Sequence, residues 1–117
     1  MDNNKLQEFF EEEGFNVHLF DEQDDGVICA EIEKWTDGGV DMIILLRPFI
    51  AKKFIEYVDE FDIDDEIDAH RIDPEYKSDF TIREALKDFT GFHIRLKQIV
   101  SKLNKMKGGK DGTKKKI

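Results

Sequence analysis

An apolar run near the middle of the chain most constrains how it can fold. Residues 42–46 are the longest uninterrupted apolar segment, and they follow a turn-forming sequence, TDGG, at 36–39. Side chains alternate along a strand, so the apolar residues at even positions from 40 to 46 face one side and Ile43 and Leu45 face the other. A strand that is apolar on both faces needs cover on both. Either helices pack on both sides of its sheet, or one face is buried in a partner.

Two further strands are predicted before this one. Apolar and polar residues alternate at 15–20 and at 28–33, and the segment between them ends in Asp25-Gly26, a pair typical of tight turns. Together with a third strand at 40–47, they predict a three-stranded antiparallel meander.

The register of the first two strands follows from the turn. A two-residue loop at Asp25-Gly26 pairs Leu19 with Ile32 and places the apolar residues of both strands on one face. The same register pairs His18 with Glu33. A carboxylate beside an imidazole is typical of acid–base catalysis, and an enzyme built on this pair would need a concave pocket around it. A solvated ion pair is the other interpretation.

Helical periodicity predicts one helix before the strands and one after them. Leu6, Phe9 and Phe10 recur at helical spacing, and Gly14 provides a stop. After the meander, Pro48 suits the first turn of a helix, and apolar residues at 50, 54, 55, 58 and 61 continue the spacing. This second helix is expected to end at about Glu60.

A long helix is predicted near the carboxyl end. Thr81 and Glu84 form the Thr-x-x-Glu pattern of a capping box, and an apolar stripe continues to Leu103, about six turns. We expect 1–106 to be a single acidic domain and 107–117, which is rich in Gly and Lys, to be a disordered basic tail. The predicted fold class is α+β, with a three-stranded antiparallel meander packed by helices and a long C-terminal helix.

Charge is unevenly distributed along the chain. The net charge is −9, but 102–117 holds seven lysines and one aspartate, whereas 1–101 holds 26 acidic and eleven basic residues. Such an acidic body repels phosphates, so we expect no direct nucleic-acid binding by the folded part.

The densest acidic segment, 56–79, has eleven acidic and two basic residues, Arg71 and Lys77. We expect short helical turns there, anchored by Phe61, Ile63, Ile67 and Ile72. One interpretation is a solvated surface. The other is a rigid acidic face that binds a basic protein partner, such as a nucleic-acid-handling enzyme, and imitates DNA in its groove. The binding residues would be Glu56, Asp59, Glu60, Asp62, Asp64, Asp65, Glu66 and Asp68.

The sequence contains few residues suited to a disulfide, a metal site, a phosphate-binding loop or catalysis. Cys29 is the only cysteine, which excludes an internal disulfide and a cysteine-rich zinc site. Asp62, Asp64 and Glu66 alternate like calcium ligands, but Ile67 stands where the calcium loop requires Gly. No glycine-rich phosphate loop is present. We expect no cofactor, no metal site and no catalytic residues.

The ends and apolar runs of the chain bear on its location. The segment 1–14 has five acidic residues and one Lys, unlike a secretory signal. The longest apolar run is far shorter than the roughly 20 residues that span a membrane. We expect a soluble cytoplasmic protein without membrane contact.

Two stretches resemble short, uncharacterised acidic proteins that are encoded in genomes and mobile elements of anaerobic gut bacteria. They are 33–43 (EKWTDGGVDMI), and 61–71 (FDIDDEIDAHR) continuing to 80–89 (FTIREALKDF), within a similarity over roughly 27–100. The resemblance implies no established activity and no site residue. It implies a context in which small acidic proteins include anti-restriction and other anti-defence factors, some of which mimic DNA.

A homodimeric structural or interaction module is the alternative function. Its interface would be the second apolar face of the third strand with Trp35, or the far end of the long helix with Leu96, Ile99, Val100 and Leu103.

Overall fold

The computed structural model describes residues 2–70 and 81–115, with side chains for 2–70 and 81–106. In chain order the elements are α1 (Asn3–Glu12), β1 (Asn16–Phe20), β2 (Cys29–Trp35), β3 (Asp41–Leu46), α2 (Ala51–Asp59), α3 (Ile63–Ala69) and α4 (Ile82–Lys115). The strands form one antiparallel sheet in the order β1-β2-β3, so the predicted meander and the α+β fold class are confirmed.

One hydrophobic core joins the helices to one face of the sheet. Phe10 of α1 is fully buried at its centre, with its ring centroid 4.9 Å from Phe54 and 5.3 Å from Phe15. The inward side chains of the sheet and the apolar stripe of α4 complete the cluster: Ala30, Ile32, Met42, Ile44, Leu46, Ala85, Phe89, Phe92, Leu96, Ile99 and Leu103. The helices therefore lie on one side of the sheet.

The predicted first helix is confirmed as α1, which buries Leu6, Phe9 and Phe10. The Asp2 carboxylate accepts a hydrogen bond of 2.8 Å from the Lys5 amide and caps the helix. The chain leaves α1 at Gly14, whose φ of 94° is a conformation that glycine adopts without strain.

The hairpin register differs from the predicted one. Val17, not Leu19, lies opposite Ile32, and His18 lies opposite Glu31 instead of Glu33. The two-residue loop was the error, because β1 ends at Phe20 and β2 begins only at Cys29. A shift of two residues leaves every side chain on its predicted face, because the period of a strand is two.

Asp21 explains why the connection is long. Its carboxylate accepts hydrogen bonds from the amides of Asp25 at 3.1 Å and Gly26 at 2.9 Å, and so it closes a wider loop. Asp24 adopts a φ of 55° within this loop. A side-chain-closed loop of this kind competes with the tight turn that Asp25-Gly26 alone suggests.

The second helix begins later than predicted. Pro48 lies before α2 and not in its first turn, and its peptide bond with Arg47 is cis. The Phe49 amide donates to the Ile28 carbonyl at 2.8 Å, while its side chain is buried. These contacts hold 48–50 outside the helix, which begins at Ala51 after the extended N-cap residue Ile50.

The capping box at the start of α4 is confirmed. The Glu84 amide donates to Thr81 Oγ1 at 3.1 Å, and the Thr81 amide donates to Glu84 Oε1 at 2.8 Å. The backbone of α4 is helical as far as Lys115, so the helix continues beyond Met106 into the basic tail. The disorder expected for 107–117 stays a prediction. Within the described residues, no helix has the length and apolar character needed to cross a membrane.

The helices of the described residues cover one face of β3. Met42, Ile44 and Leu46 are buried in the core, whereas Ile43 and Leu45 point to the opposite side and are exposed. The apolar run predicts cover on both faces of β3. The described helices cover the inner face and leave the outer face open.

Candidate functional site

The structure places the eight predicted binding residues on two consecutive short helices and their link. Glu56 and Asp59 belong to α2, Glu60 follows it, and the other five lie from the N-cap of α3 into its last turn. We call this set the acidic face: Glu56, Asp59, Glu60, Asp62, Asp64, Asp65, Glu66 and Asp68.

Local sequence explains why α3 forms despite its charge. Asp62 is its N-cap, and Asp62 Oδ1 accepts hydrogen bonds from the amides of Asp64 at 2.9 Å and Asp65 at 3.2 Å. Three acidic residues occupy the first turn, where the positive end of the helix dipole favours them. The acidic residues themselves therefore start the helix that displays them.

Apolar side chains interleaved with the acidic ones attach this segment to the core. Val58 is buried, and Ile63 and Ile67 pack against the core cluster. The Phe61 ring stacks on His93 of α4 with centroids 4.7 Å apart, and His93 Nε2 lies within hydrogen-bond distance, 3.3 Å, of the Val58 carbonyl oxygen. The backbone carrying the carboxylates is consequently packed against α4, as the rigid interpretation requires.

Two carboxylates of the acidic face have a basic neighbour. Glu56 lies 3.6 Å from Lys53 Nζ, and Glu66 lies 3.7 Å from His70 Nε2. Burial raises the pKa of Glu66, and the nearby His70 partly offsets that rise.

The other six acidic residues are exposed, and they form no ion pair with any residue of the described ranges: Asp59, Glu60, Asp62, Asp64, Asp65 and Asp68. No basic residue occurs in the sequence between 56 and 68. The surface therefore carries concentrated negative charge.

The rest of the predicted acidic segment lies outside the described residues. This applies to Arg71, Ile72, Lys77 and the acidic positions 73, 75 and 79.

The His18–Glu33 pair that the enzyme alternative needs is not formed. His18 lies opposite Glu31, and Glu33 Oε1 instead accepts a hydrogen bond of 3.2 Å from Asn16 Nδ2. A shallow concavity of about 190 Å³ lies on the open side of the sheet, and its lining includes Asn16, His18, Glu31 and Glu33. The prediction that joined His18 to Glu33 was wrong because it rested on the two-residue hairpin loop.

One proposed dimer surface is buried within the chain. Leu96, Ile99 and Leu103 of α4 are in the core, and Val100 is partly buried against it. These residues are not available to a second copy. The other proposed surface, the open side of β3 with Trp35, is exposed.

Sequence patterns did not reveal the role of Asp88. Asp88 Oδ1 accepts a hydrogen bond of 2.7 Å from the Gly38 amide, and its Oδ2 accepts one from Thr36 Oγ1. Thr36 Oγ1 in turn accepts from the Val40 amide at 3.0 Å. This network ties the β2–β3 turn to α4, and fifty residues separate its partners, so no local motif marks it.

Among the described residues, no group of three or more His, Cys, Asp or Glu side chains is arranged to hold a metal ion. Comparison with known proteins found no matching family model, no matching curated protein and no matching solved structure.

Proposed function

We propose that this protein is a non-catalytic binding protein whose acidic face engages a basic surface of a protein partner. The observation that supports this most is the combination of six exposed carboxylates without basic partners in the described chain and a backbone packed against α4. A solvated surface needs charge but not attachment to the core. Complementary charge accelerates encounter with a basic partner and fixes the orientation of the complex.

The partner class that fits this surface is a nucleic-acid-handling protein. Such proteins bind phosphates with a basic groove, since duplex DNA carries about one negative charge per 1.7 Å of its axis. Carboxylates on packed helices can occupy that groove in place of phosphates, so the protein would act as a competitive DNA mimic. An anti-defence inhibitor is the role that agrees with the resemblance to acidic proteins of mobile elements.

The experiment compares two variants with the same change in charge. Asp59→Lys, Glu60→Lys and Asp68→Lys reverse three exposed residues of the acidic face, and they lie near helix ends that favour positive charge. Glu8→Lys, Glu11→Lys and Glu12→Lys reverse three exposed residues of α1. Each immobilised variant and the wild-type chain are incubated with lysate of the native host at low salt and eluted with rising salt.

We expect the wild-type chain and the α1 variant to retain the same basic nucleic-acid-binding protein and to release it as salt screens the charges. The variant of the acidic face should fail to retain it. Equal retention by both variants, or retention of nothing but the chain itself, would contradict the proposal.

A further inference from the structure

The open side of the sheet is a second surface with its own chemistry. Its side chains come from two neighbouring strands, which pair Glu31 with Leu45, Glu33 with Ile43 and Trp35 with Asp41. We call these six residues the outer sheet face. It is separate from the acidic face, which lies on α2 and α3 among the helices that cover the other side of the sheet.

Three large apolar side chains on this face are open to solvent. Trp35 is 58% exposed, Ile43 59% and Leu45 46%. Ile43 and Leu45 are successive outward residues of β3, so they form an apolar row along one strand. A cluster of this kind, next to polar side chains, is typical of an interaction surface.

Negative charge borders the apolar row. Glu31 and Glu33 are successive outward residues of β2, and Asp41 lies beside Trp35. Asp41 Oδ1 is shielded from solvent and has no hydrogen-bond partner in the described part of the chain. The neighbouring Glu33 carboxyl group and partial burial raise the pKa of Asp41, and the nearby His70 partly offsets that rise. Two carboxyl groups therefore crowd one another at this edge, and a cation would relieve the repulsion.

Basic residues of β2 do not offset this charge. Lys34 points to the opposite side, where its Nζ donates to the Glu13 carbonyl at 2.8 Å and lies 5.4 Å from the centroid of the Phe15 ring. Arg47, just after β3, is paired with Glu22 at 2.7 Å.

The negative charge on the outer sheet face indicates which kind of partner can bind there. A symmetric pair of chains brings two copies of this surface together, so its interface would hold six carboxyl groups and no basic residue of the outer sheet face. Like charges collected in one interface disfavour that pairing. A partner with apolar and basic side chains matches both rows, and its Lys or Arg can also stack on the exposed indole.

We propose that the outer sheet face binds a cationic amphipathic segment of a partner protein, with its apolar side chains on Trp35, Ile43 and Leu45 and its basic side chains on Glu31, Glu33 and Asp41. This interaction does not depend on the acidic face.

Trp35 provides a built-in reporter, because it is the only tryptophan in the chain. The probe is a short synthetic amphipathic helix made of leucine and lysine, and a leucine–glutamate peptide of the same pattern is the control. Binding at the outer sheet face should shift Trp35 emission to shorter wavelength and reduce its quenching by acrylamide. The glutamate peptide should leave both unchanged.

Two variants with equal charge changes locate the binding site. Glu31→Gln with Glu33→Gln should weaken the Trp35-detected affinity by about tenfold, the effect of losing two partly exposed ion pairs. Asp64→Asn with Asp65→Asn, on α3, should leave it within about twofold of wild type. A third variant, Ile43→Thr with Leu45→Thr, retains β propensity and should weaken binding through loss of apolar contact.

Three results would overturn the inference. They are no change in Trp35 emission at any peptide concentration, an equal loss of affinity in both charge variants, and a dimer in sedimentation without peptide in which acrylamide does not reach Trp35. The last result would assign the face to a second copy of the chain. An equal loss in both charge variants would mean that the peptide responds to the overall negative charge and not to the outer sheet face. The proposed function is tested separately, by reversing Asp59, Glu60 and Asp68.

Discussion

At the scale of single residues, Asp88 has the clearest structural role that the sequence does not signal. Its carboxylate accepts hydrogen bonds from Thr36 and from the Gly38 amide and so fixes the β2–β3 turn on α4. Asp88→Asn replaces one of the two accepting oxygens with an NH2 donor, so either Thr36 or the Gly38 amide loses its acceptor, and we expect a loss of about 1–3 kcal/mol in the free energy of unfolding. Asp37→Asn removes the same charge from an exposed position of this turn and should change stability by less than about 0.5 kcal/mol. Urea denaturation of both variants measures the difference, and equal stabilities would contradict this role.

The contrast between inner and outer apolar residues gives a second prediction at this scale. Phe10 is fully buried among Phe9, Phe15 and Phe54, so Phe10→Ala should cost about 3–5 kcal/mol through lost burial and a cavity. Ile43→Ala, on the open side of the sheet, should cost less than about 1 kcal/mol. Thermal unfolding of the two variants distinguishes these positions. A large cost at Ile43 would mean that its side chain is buried in solution, as in a complex with a second copy.

At the scale of elements, the N-terminus of α4 depends on a reciprocal cap. Thr81→Ala removes the hydroxyl that accepts from the Glu84 amide, and we expect a loss of about 1 kcal/mol. Thr90→Ala is the matched control on the same helix, because its hydroxyl donates to the Leu86 carbonyl within an exposed, already hydrogen-bonded turn. Alanine is favoured inside a helix, so this control should be neutral or slightly stabilising. The prediction fails if both substitutions have the same effect on the urea midpoint.

The elements also show what local sequence can predict. Helical periodicity found α1 and the stripe of α4, and strand alternation found all three strands with their correct faces. It could not find the register of β1 and β2, because the Asp21 side chain closes a wider loop than Asp25-Gly26 suggests. Likewise, the start of α2 depends on the contact between Phe49 and Ile28, which are distant in sequence. Patterns within one segment can be recognised in a sequence. Features that depend on contacts between distant segments, such as strand register and the start of a helix, cannot.

The two candidate surfaces also differ in how far the sequence alone predicts them. The acidic residues from Glu56 to Asp68 can be read directly, and so can the apolar residues between them, because both occupy one continuous segment. The attachment of that segment through Phe61 and His93 required the structure, since it joins the α2–α3 link to α4. The outer sheet face combines β2 with β3, so its two rows appear only once the register is known.

At the scale of the whole molecule, excess negative charge makes stability depend on pH. Burial raises the pKa of Glu66 above its ordinary value of 4.5, so the folded protein holds this proton more tightly than the unfolded chain does. Stability should therefore increase as pH falls from 7 through the raised pKa, and this contribution should level off below about 4.5. Relief of repulsion among the exposed carboxylates has the same sign.

A variant isolates the contribution of Glu66. Glu66→Gln has no proton to bind, so the stability of the wild-type chain relative to this variant should increase as pH falls from 7 toward 4.5. Glu8→Gln, at an exposed position of α1, should follow the wild-type pH profile. Urea midpoints measured across this pH range give the comparison. A wild-type advantage that decreases with falling pH would contradict the assigned direction.

Competition with DNA tests the central claim most directly. The basic protein retained by the immobilised wild-type chain is challenged with duplex DNA at constant ionic strength, so that only occupancy of the shared surface changes. If the acidic face occupies a nucleic-acid groove, the fraction of partner released from the immobilised chain should equal the fraction that has bound DNA. The Asp59→Lys, Glu60→Lys, Asp68→Lys variant should have no partner to displace. A partner that binds DNA and the chain at the same time would show that the acidic face does not act as a DNA mimic.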